Sequence, residues 1–131
     1  MIQYLTKDEV LDLHAYVITR YGGRLGIASQ DRLVSALDAP RQVMFGSELY
    51  PDVISKAAAL TFFLLKGRPF LSGNQSTALM AMLRFLDINN ITLHDNVSSS
   101  ELLWIIQSID RSDFDKNRLE EWLNEHVVEK I

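Results

Sequence analysis

The sequence contains no cysteine, which excludes disulfide bonds, thiolate zinc sites and a cysteine nucleophile. Its longest uncharged apolar run, residues 57–65, is far shorter than the ~20 residues of a membrane span. The first six residues carry no basic segment, so no signal peptide is expected. Thirteen basic residues against seventeen acidic ones argue against a general binder of nucleic-acid backbones. We therefore expect a cytoplasmic protein that contacts neither membrane nor nucleic acid directly.

Histidine is also scarce, because only His14, His94 and His126 occur and no H-E-x-x-H spacing links them. His14 falls within an amphipathic helical pattern at a rim position, and His126 falls near a helix C-terminus, where a cation suits the dipole. His94 stands in a polar turn. We predict structural roles for all three histidines and no metal site.

Helical periodicity covers most of the 131 residues, and 47% hydrophobic residues suffice for one core. The two most apolar stretches, 52–66 and 74–89, are expected to pack together centrally and to bury Leu60, Leu64, Leu79 and Leu83. The other predicted helices run from the capping box at Thr6 to Gly22-Gly23, from Ser29 to Pro40 with Leu33, Val34 and Leu37 buried, from Ser98 to Ser108, and from a Ser112 cap through Val127. Residues 91–93 are predicted to be extended. The prediction is one all-α domain, residues 1–131, of about six helices.

Residues 41–51 interrupt this pattern, since they mix β-prone residues around Gly46 and have no helical period. We predict a loop or small hairpin that projects from the helical body. Connections of this length within compact domains are uncommon and often functional.

The break before the second central helix reads Arg68-Pro-Phe-Leu-Ser-Gly-Asn-Gln-Ser-Thr77 and resembles the motif H-P-F-x-D-G-N-K-R-T of the Fic/Doc family. The resemblance extends over about residues 4–95. It includes Leu13-His14, Arg20-Tyr-Gly-Gly23, the helix 32–37, Tyr50-Pro51, Lys56-Ala-Ala-Ala59 and Phe85-Leu86. The sequence is most similar to the Doc branch of that family.

The resemblance implies a phosphoryl-transfer site. In the family, the motif histidine is the general base, the acidic residue holds Mg²⁺, the Gly-Asn turn cradles phosphate, and the lysine and arginine neutralise its charge. Fic proteins attach AMP to protein hydroxyls, and Doc proteins phosphorylate a translation factor. A flap aligns the target, so segment 41–51 is expected to lie beside Gly73 and Asn74.

Four positions depart from the motif. Arg68 replaces the histidine and stays protonated, so it cannot accept a proton. Ser72 replaces the acid, and one neutral hydroxyl is a poor anchor for Mg²⁺. Gln75 and Ser76 replace the lysine and arginine. The residues Pro69, Phe70, Gly73, Asn74 and Thr77 match the motif and serve the turn, the core and the helix start. We expect no intact catalytic residue and no Mg²⁺, with at most weak binding of ATP or phosphate at residues 73–76.

Two main hypotheses follow. The first is a protein of toxin–antitoxin origin with a degenerate active site, a pseudoenzyme that acts by binding a protein partner. The family's partner is an antitoxin of the Phd type, which places a helical tail in a groove. The second is an active or residual transferase that acts on a translation factor. It would use Arg68 as a phosphate clamp or take a base from Asp52 or Glu48.

Overall fold

A computed structural model describes residues 1–130 and shows six helices and four short strands. The all-α fold class is therefore confirmed. No helix in this range is long and apolar enough to cross a membrane. The elements are α1 (Lys7–Tyr21), α2 (Gln30–Asp38), β1 (Val43–Met44), β2 (Ser47–Glu48), α3 (Val53–Gly67), α4 (Asn74–Ile88), β3 (Ile91–Leu93), α5 (Ser99–Asp110), α6 (Lys116–His126) and β4 (Val127–Glu129). A short 3₁₀ turn, Ala39–Arg41, follows α2.

Polar side chains cap the N-termini of five of the six described helices, and α4 is the exception. The Thr6 hydroxyl accepts from the backbone N–H of Glu9, and the Glu9 carboxylate accepts from the N–H of Thr6, which confirms the predicted capping box. Ser98 caps α5 in the same way, accepting from the N–H of Glu101 at 3.1 Å. The Glu101 carboxylate instead accepts from the indole N–H of Trp122. Helix α5 therefore has only half of a capping box.

The predicted start and end of the last helix are wrong. Asp115, not Ser112, caps α6, because the extended Asp115 accepts from the N–H of Arg118, whereas Ser112 has a φ of 67° and lies before the helix begins. The helix ends at His126, and Val127 begins β4. This strand pairs antiparallel with β3, which confirms the extended residues 91–93 and supplies the partner strand that the sequence did not indicate.

Helices α3 and α4 pack against each other at the centre, as predicted. Leu60 and Leu64 are buried on α3, but Leu79 and Leu83 of α4 are only half-buried. The buried face of α4 consists instead of Ala78, Ala81, Met82, Phe85 and Leu86. The alanines let the two helix backbones approach closely, so the larger leucines lie at the edge of the contact.

Two side chains near the ends of the core differ from expectation in their exposure. Val34, which was expected to be buried, lies on the outer face of α2. Leu33 is buried on the inner face of that helix, and Leu37 is half-buried. His14 is only 2% exposed rather than at the rim, because α1 packs this side chain against the turn that joins α3 to α4.

Segment 41–51 projects as predicted, as a hairpin in which β1 and β2 pair antiparallel and Phe45 is almost fully exposed. Its base is held by Lys56, a fully buried lysine in the first half of α3. The Lys56 ammonium donates to the carbonyl of Pro40 at 2.8 Å and to the carboxylate of Glu48 at 2.9 Å. Burial lowers the pKa of Lys56, but the bond to Glu48 and the nearby Tyr4 outweigh it, so the pKa lies above its usual value.

Candidate functional site

Residues 68–73, here the motif turn, connect α3 to α4 and are held by two sets of backbone contacts. The Asn74 side chain accepts a hydrogen bond from the backbone N–H of Phe70 and donates one to the carbonyl of Phe70, both at 3.0 Å. From the other side, the carbonyl of Pro69 accepts from the N–H groups of Ala28 and Ser29. Pro69 and Phe70 are buried. The motif turn is therefore fixed on both faces, and it fixes the start of α4.

Glycine is required at the last position of this turn. Gly73 has a φ of 74°, in the left-handed region, and it precedes the first residue of α4. A Cβ atom there would lie 3.0 Å from Cγ1 of Val17 and 3.3 Å from Cδ1 of Ile18. The turn thus packs directly on α1. The next turn of α4 buries Thr77, whose hydroxyl has no hydrogen-bond partner among the described residues.

His14 supports the motif turn from α1. Its ring stacks on the ring of Phe70 with centroids 3.9 Å apart and planes 9° from parallel. Its Nε2 lies 2.9 Å from the carbonyl oxygen of Ser72, so this nitrogen donates a hydrogen bond to that oxygen. A buried ring held in this way orients the turn. The other two histidines, His94 and His126, lie away from it.

The motif turn and the first turn of α4 enclose a depression of about 400 Å³, here the motif pocket, lined by Arg68 and residues 70–76. The first N–H groups of an α-helix have no carbonyl partner within the helix. The pocket brings Arg68 and Ser72 together with the predicted phosphate-binding residues, which are Gly73, Asn74, Gln75 and Ser76. Pro69 and Thr77, which were expected to be scaffold, do not line the pocket.

Two of the four replaced motif positions converge on one carboxylate, that of Asp110 at the end of α5. The guanidinium of Arg68 donates to one oxygen of Asp110 and the amide of Gln75 donates to the other, each at 2.6 Å. Arg68 reaches Asp110 from a left-handed backbone conformation, φ 45°, at the C-terminus of α3. The Asp110 side chain is only 12% exposed. Sequence reasoning missed Asp110, because it lies 42 residues from Arg68 and belongs to no motif.

The protonation of Asp110 follows from these contacts. Partial burial raises its pKa. The hydrogen bonds from Gln75 and Arg68, together with the charges of Arg68 and Lys66, outweigh that effect, so the pKa lies below the usual aspartate value. The carboxylate is therefore ionised at neutral pH and forms an ion pair with Arg68.

The third replaced position, Ser72, also has a partner outside the pocket. Its hydroxyl oxygen accepts from the backbone N–H of Arg24 at 3.1 Å. Gly23 allows this approach, because a Cβ atom there would lie 2.9 Å from Cβ of Ser72. The serine thus ties the motif turn to the loop after α1.

Charge is distributed unevenly over the molecule. Five basic residues but two acidic ones lie on, or bond to, the motif turn and the adjoining ends of α3 and α5, although the whole chain is acidic. The basic residues are Arg24, Arg32, Lys66, Arg68 and Arg111, and the acidic ones are Asp110 and Asp113. This end of the protein is locally positive, and Asp110 is the acid bonded directly to the motif.

The hairpin and its two carboxylates lie away from the motif pocket. The anchor Lys56 is twelve residues before Arg68, which corresponds to about 18 Å along the helix axis. Glu48 is paired with Lys56, and Asp52 caps α3 by accepting from the N–H of Ser55. The hairpin base is therefore not beside Gly73 and Asn74 as expected. The structure brings neither Glu48 nor Asp52 to the pocket.

Comparison with known sequences decides the family, because the sequence model described as the Fic/DOC family matches residues 4–86. The chain belongs to the Fic/DOC family. It is 30% identical over 125 residues to a protein named Toxin Doc from Mycolicibacterium smegmatis, covering 95% of this chain and 81% of that one. It is 27% identical over 101 residues to the protein named Protein kinase doc of Escherichia phage P1, covering 77% and 79% respectively. The Doc branch and a toxin–antitoxin origin are thereby supported.

The Mg²⁺ ion that the Fic/DOC motif implies does not fit this pocket. Mg²⁺ binds one or two carboxylates together with water and phosphate oxygens. The carboxylate bonded to the motif is Asp110, and both of its oxygens already accept hydrogen bonds from Arg68 and Gln75. Residues 1–130 contain no group of three or more His, Asp or Glu side chains that could hold a metal ion.

Proposed function

We propose that this chain is a Doc-like protein of toxin–antitoxin origin that no longer transfers phosphate or AMP from ATP to protein hydroxyls. It acts instead by binding a protein partner. The observation that carries this proposal is the hydrogen bonding of Asp110 to Arg68 and Gln75. Residues at the positions of the family's base and phosphate-binding lysine are engaged in holding α5 to the motif turn.

The expected loss of rate is large. A general base contributes about 10²–10⁴ in rate, and Arg68 cannot take that role. Phosphoryl transfer depends mainly on positioning and on neutralising charge, which the family's metal-binding acid and two cations supply. Ser72, Gln75 and Ser76 carry no charge, so these contributions are lost together.

A restoration series tests the loss of transfer. The protein is incubated with Mg²⁺, a bacterial translation factor and ATP labelled in its α- or γ-phosphate. Arg68→His alone should leave transfer undetectable, because the metal and cation positions stay unfilled. The quadruple variant Arg68→His, Ser72→Asp, Gln75→Lys and Ser76→Arg should transfer label. Transfer by the single variant at the quadruple variant's rate would show that the other three replacements do not matter.

The partner-binding part of the proposal is supported by an apolar groove on the face of α4 away from the motif pocket. The groove measures about 470 Å³ and is lined mainly by apolar side chains, with Met80 and Leu83 of α4 between Leu13 of α1 and Leu93 of β3. A helical segment binds such a groove with the apolar side chains of one face. A relative named Toxin Doc supports a protein antitoxin as the partner, and the antitoxin that we propose is of the Phd type.

Co-expression with the product of the adjacent reading frame tests this partner. A Phd-like product should co-purify with this chain, and Met80→Glu should abolish the complex by placing a charge in the groove. Leu103→Glu is the matched control, since Leu103 is an exposed leucine of α5 that does not line the groove. A complex that survives Met80→Glu, or that Leu103→Glu also abolishes, would contradict binding at this groove.

A further inference from the structure

We infer that Asp110 excludes phosphate groups from the motif pocket by acting as a fixed internal anion. The inference rests on the proposed function, because it explains how a pocket retaining the family's Gly-Asn turn is kept from taking ATP. It assigns Asp110 a specificity-determining role that concerns binding alone. Phosphate groups, whether free or carried on a nucleotide, are the ligands it would exclude.

The geometry of the carboxylate supports this role. One of its oxygens accepts from the guanidinium of Arg68 and the other from the amide of Gln75. Both donors line the pocket, and both stand at motif positions. The acid therefore engages one N–H of the Arg68 guanidinium and one of the Gln75 amide, for which an incoming phosphate oxygen would have to compete.

The charge of Asp110 acts in the same direction. Arg68 is the cation that lines the pocket, and its side chain is 57% exposed. Pairing with an ionised carboxylate neutralises this cation, and a phosphate beside it would be repelled by the same carboxylate. Without Asp110, Arg68 and the N-terminal turn of α4 would both present positive potential to an anion.

Asp113 provides a matched comparison. It lies three residues further along the chain, at the same locally positive end of the molecule, and it pairs with Arg111 on the surface at 3.1 Å. Its side chain is 63% exposed and bonds to no residue of the motif turn. Removing its charge changes the net charge of the protein by the same amount as removing that of Asp110.

The test is a titration with inorganic phosphate, without Mg²⁺, at pH 7.5 and low salt, followed by ³¹P NMR. Asp110→Asn should lower the dissociation constant of phosphate at least about tenfold relative to the unmodified protein. Asp113→Asn should change it less than about twofold. Adding Arg68→Gln to Asp110→Asn should remove the gain. Asp110→Ala, which leaves a good helix former at this helix end, replaces the asparagine variant if circular dichroism shows that variant unfolded.

Three results would overturn the inference: no gain in a folded Asp110 variant, an equal gain in Asp113→Asn, or a gain that persists without Arg68. The readout also separates this inference from the proposed function. An unchanged phosphate affinity, with no label transferred from ATP, rejects only the role of Asp110. Label transfer by the unmodified protein rejects the loss of activity, whatever phosphate affinity is measured.

Discussion

Replacing Gly73 with alanine tests how tightly the motif turn is built into the fold. Gly73 has a φ of 74°, and its new Cβ would lie 3.0 Å from Cγ1 of Val17. The left-handed conformation costs a residue with a Cβ about 1–2 kcal/mol. Forcing an extra carbon into a packed contact costs about 1–3 kcal/mol more. Gly73→Ala should therefore lower the free energy of unfolding by about 2–5 kcal/mol.

The matched control is Gly46→Ala in the projecting hairpin. Gly46 has a similar φ of 79°, but a Cβ atom there would meet nothing within 4 Å. Only the conformational part, about 1–2 kcal/mol, should be lost. Both free energies come from urea unfolding followed by circular dichroism, with the slope against denaturant checked for constancy. Equal losses in the two variants would refute the packing of the motif turn on α1.

Three further predictions concern buried polar groups and ion pairs. Thr77→Val removes a buried hydroxyl that has no hydrogen-bond partner within residues 1–130, and it should raise the free energy of urea unfolding by about 1 kcal/mol. A decrease would contradict this. Glu48→Gln leaves the ammonium of Lys56 without its carboxylate and should lower stability by about 1–2 kcal/mol, since Glu48 is half-exposed. The raised pKa of Lys56 stabilises the fold below the unfolded value of about 10.4, and this contribution is lost as the pH rises through the folded pKa. Alkaline unfolding of Glu48→Gln should therefore begin at lower pH, and an unchanged midpoint would argue against the pair. Arg68→Gln should lower the free energy of unfolding at pH 7, because Arg68 helps to lower the pKa of Asp110. That lowered pKa stabilises the fold above the unfolded value of about 3.9, and this contribution is lost as the pH falls through the folded pKa. The difference from the unmodified protein should shrink toward pH 3, and a constant difference would contradict the pairing.

The helices were predictable because their evidence is local. Thr6 and Ser98 cap helices where the sequence places them, and Gly22 ends α1. The last helix was misplaced because Ser112 and Asp115 are both acceptable caps in sequence, and only the backbone angle at Ser112 decides between them. Strand β4 was missed because its pairing with β3 is a long-range contact.

The motif residues were predictable from their order along the chain, but the partners of those residues were not. Arg68, Ser72 and Gln75 bond to Asp110 and Arg24, which are distant in sequence and belong to no recognisable pattern. The burial of His14 depends likewise on the motif turn folding over α1. Such contacts are set by tertiary packing, which helical periodicity does not encode.

The most direct test of the central claim is label transfer by the unmodified protein. The chain and its Arg68→Ala variant are incubated with Mg²⁺, a translation factor and ATP labelled in its α- or γ-phosphate. The account predicts no label on the factor or on the protein itself, and no difference between the two preparations. Transfer by the unmodified protein that Arg68→Ala abolishes would contradict it and make Arg68 a catalytic phosphate clamp.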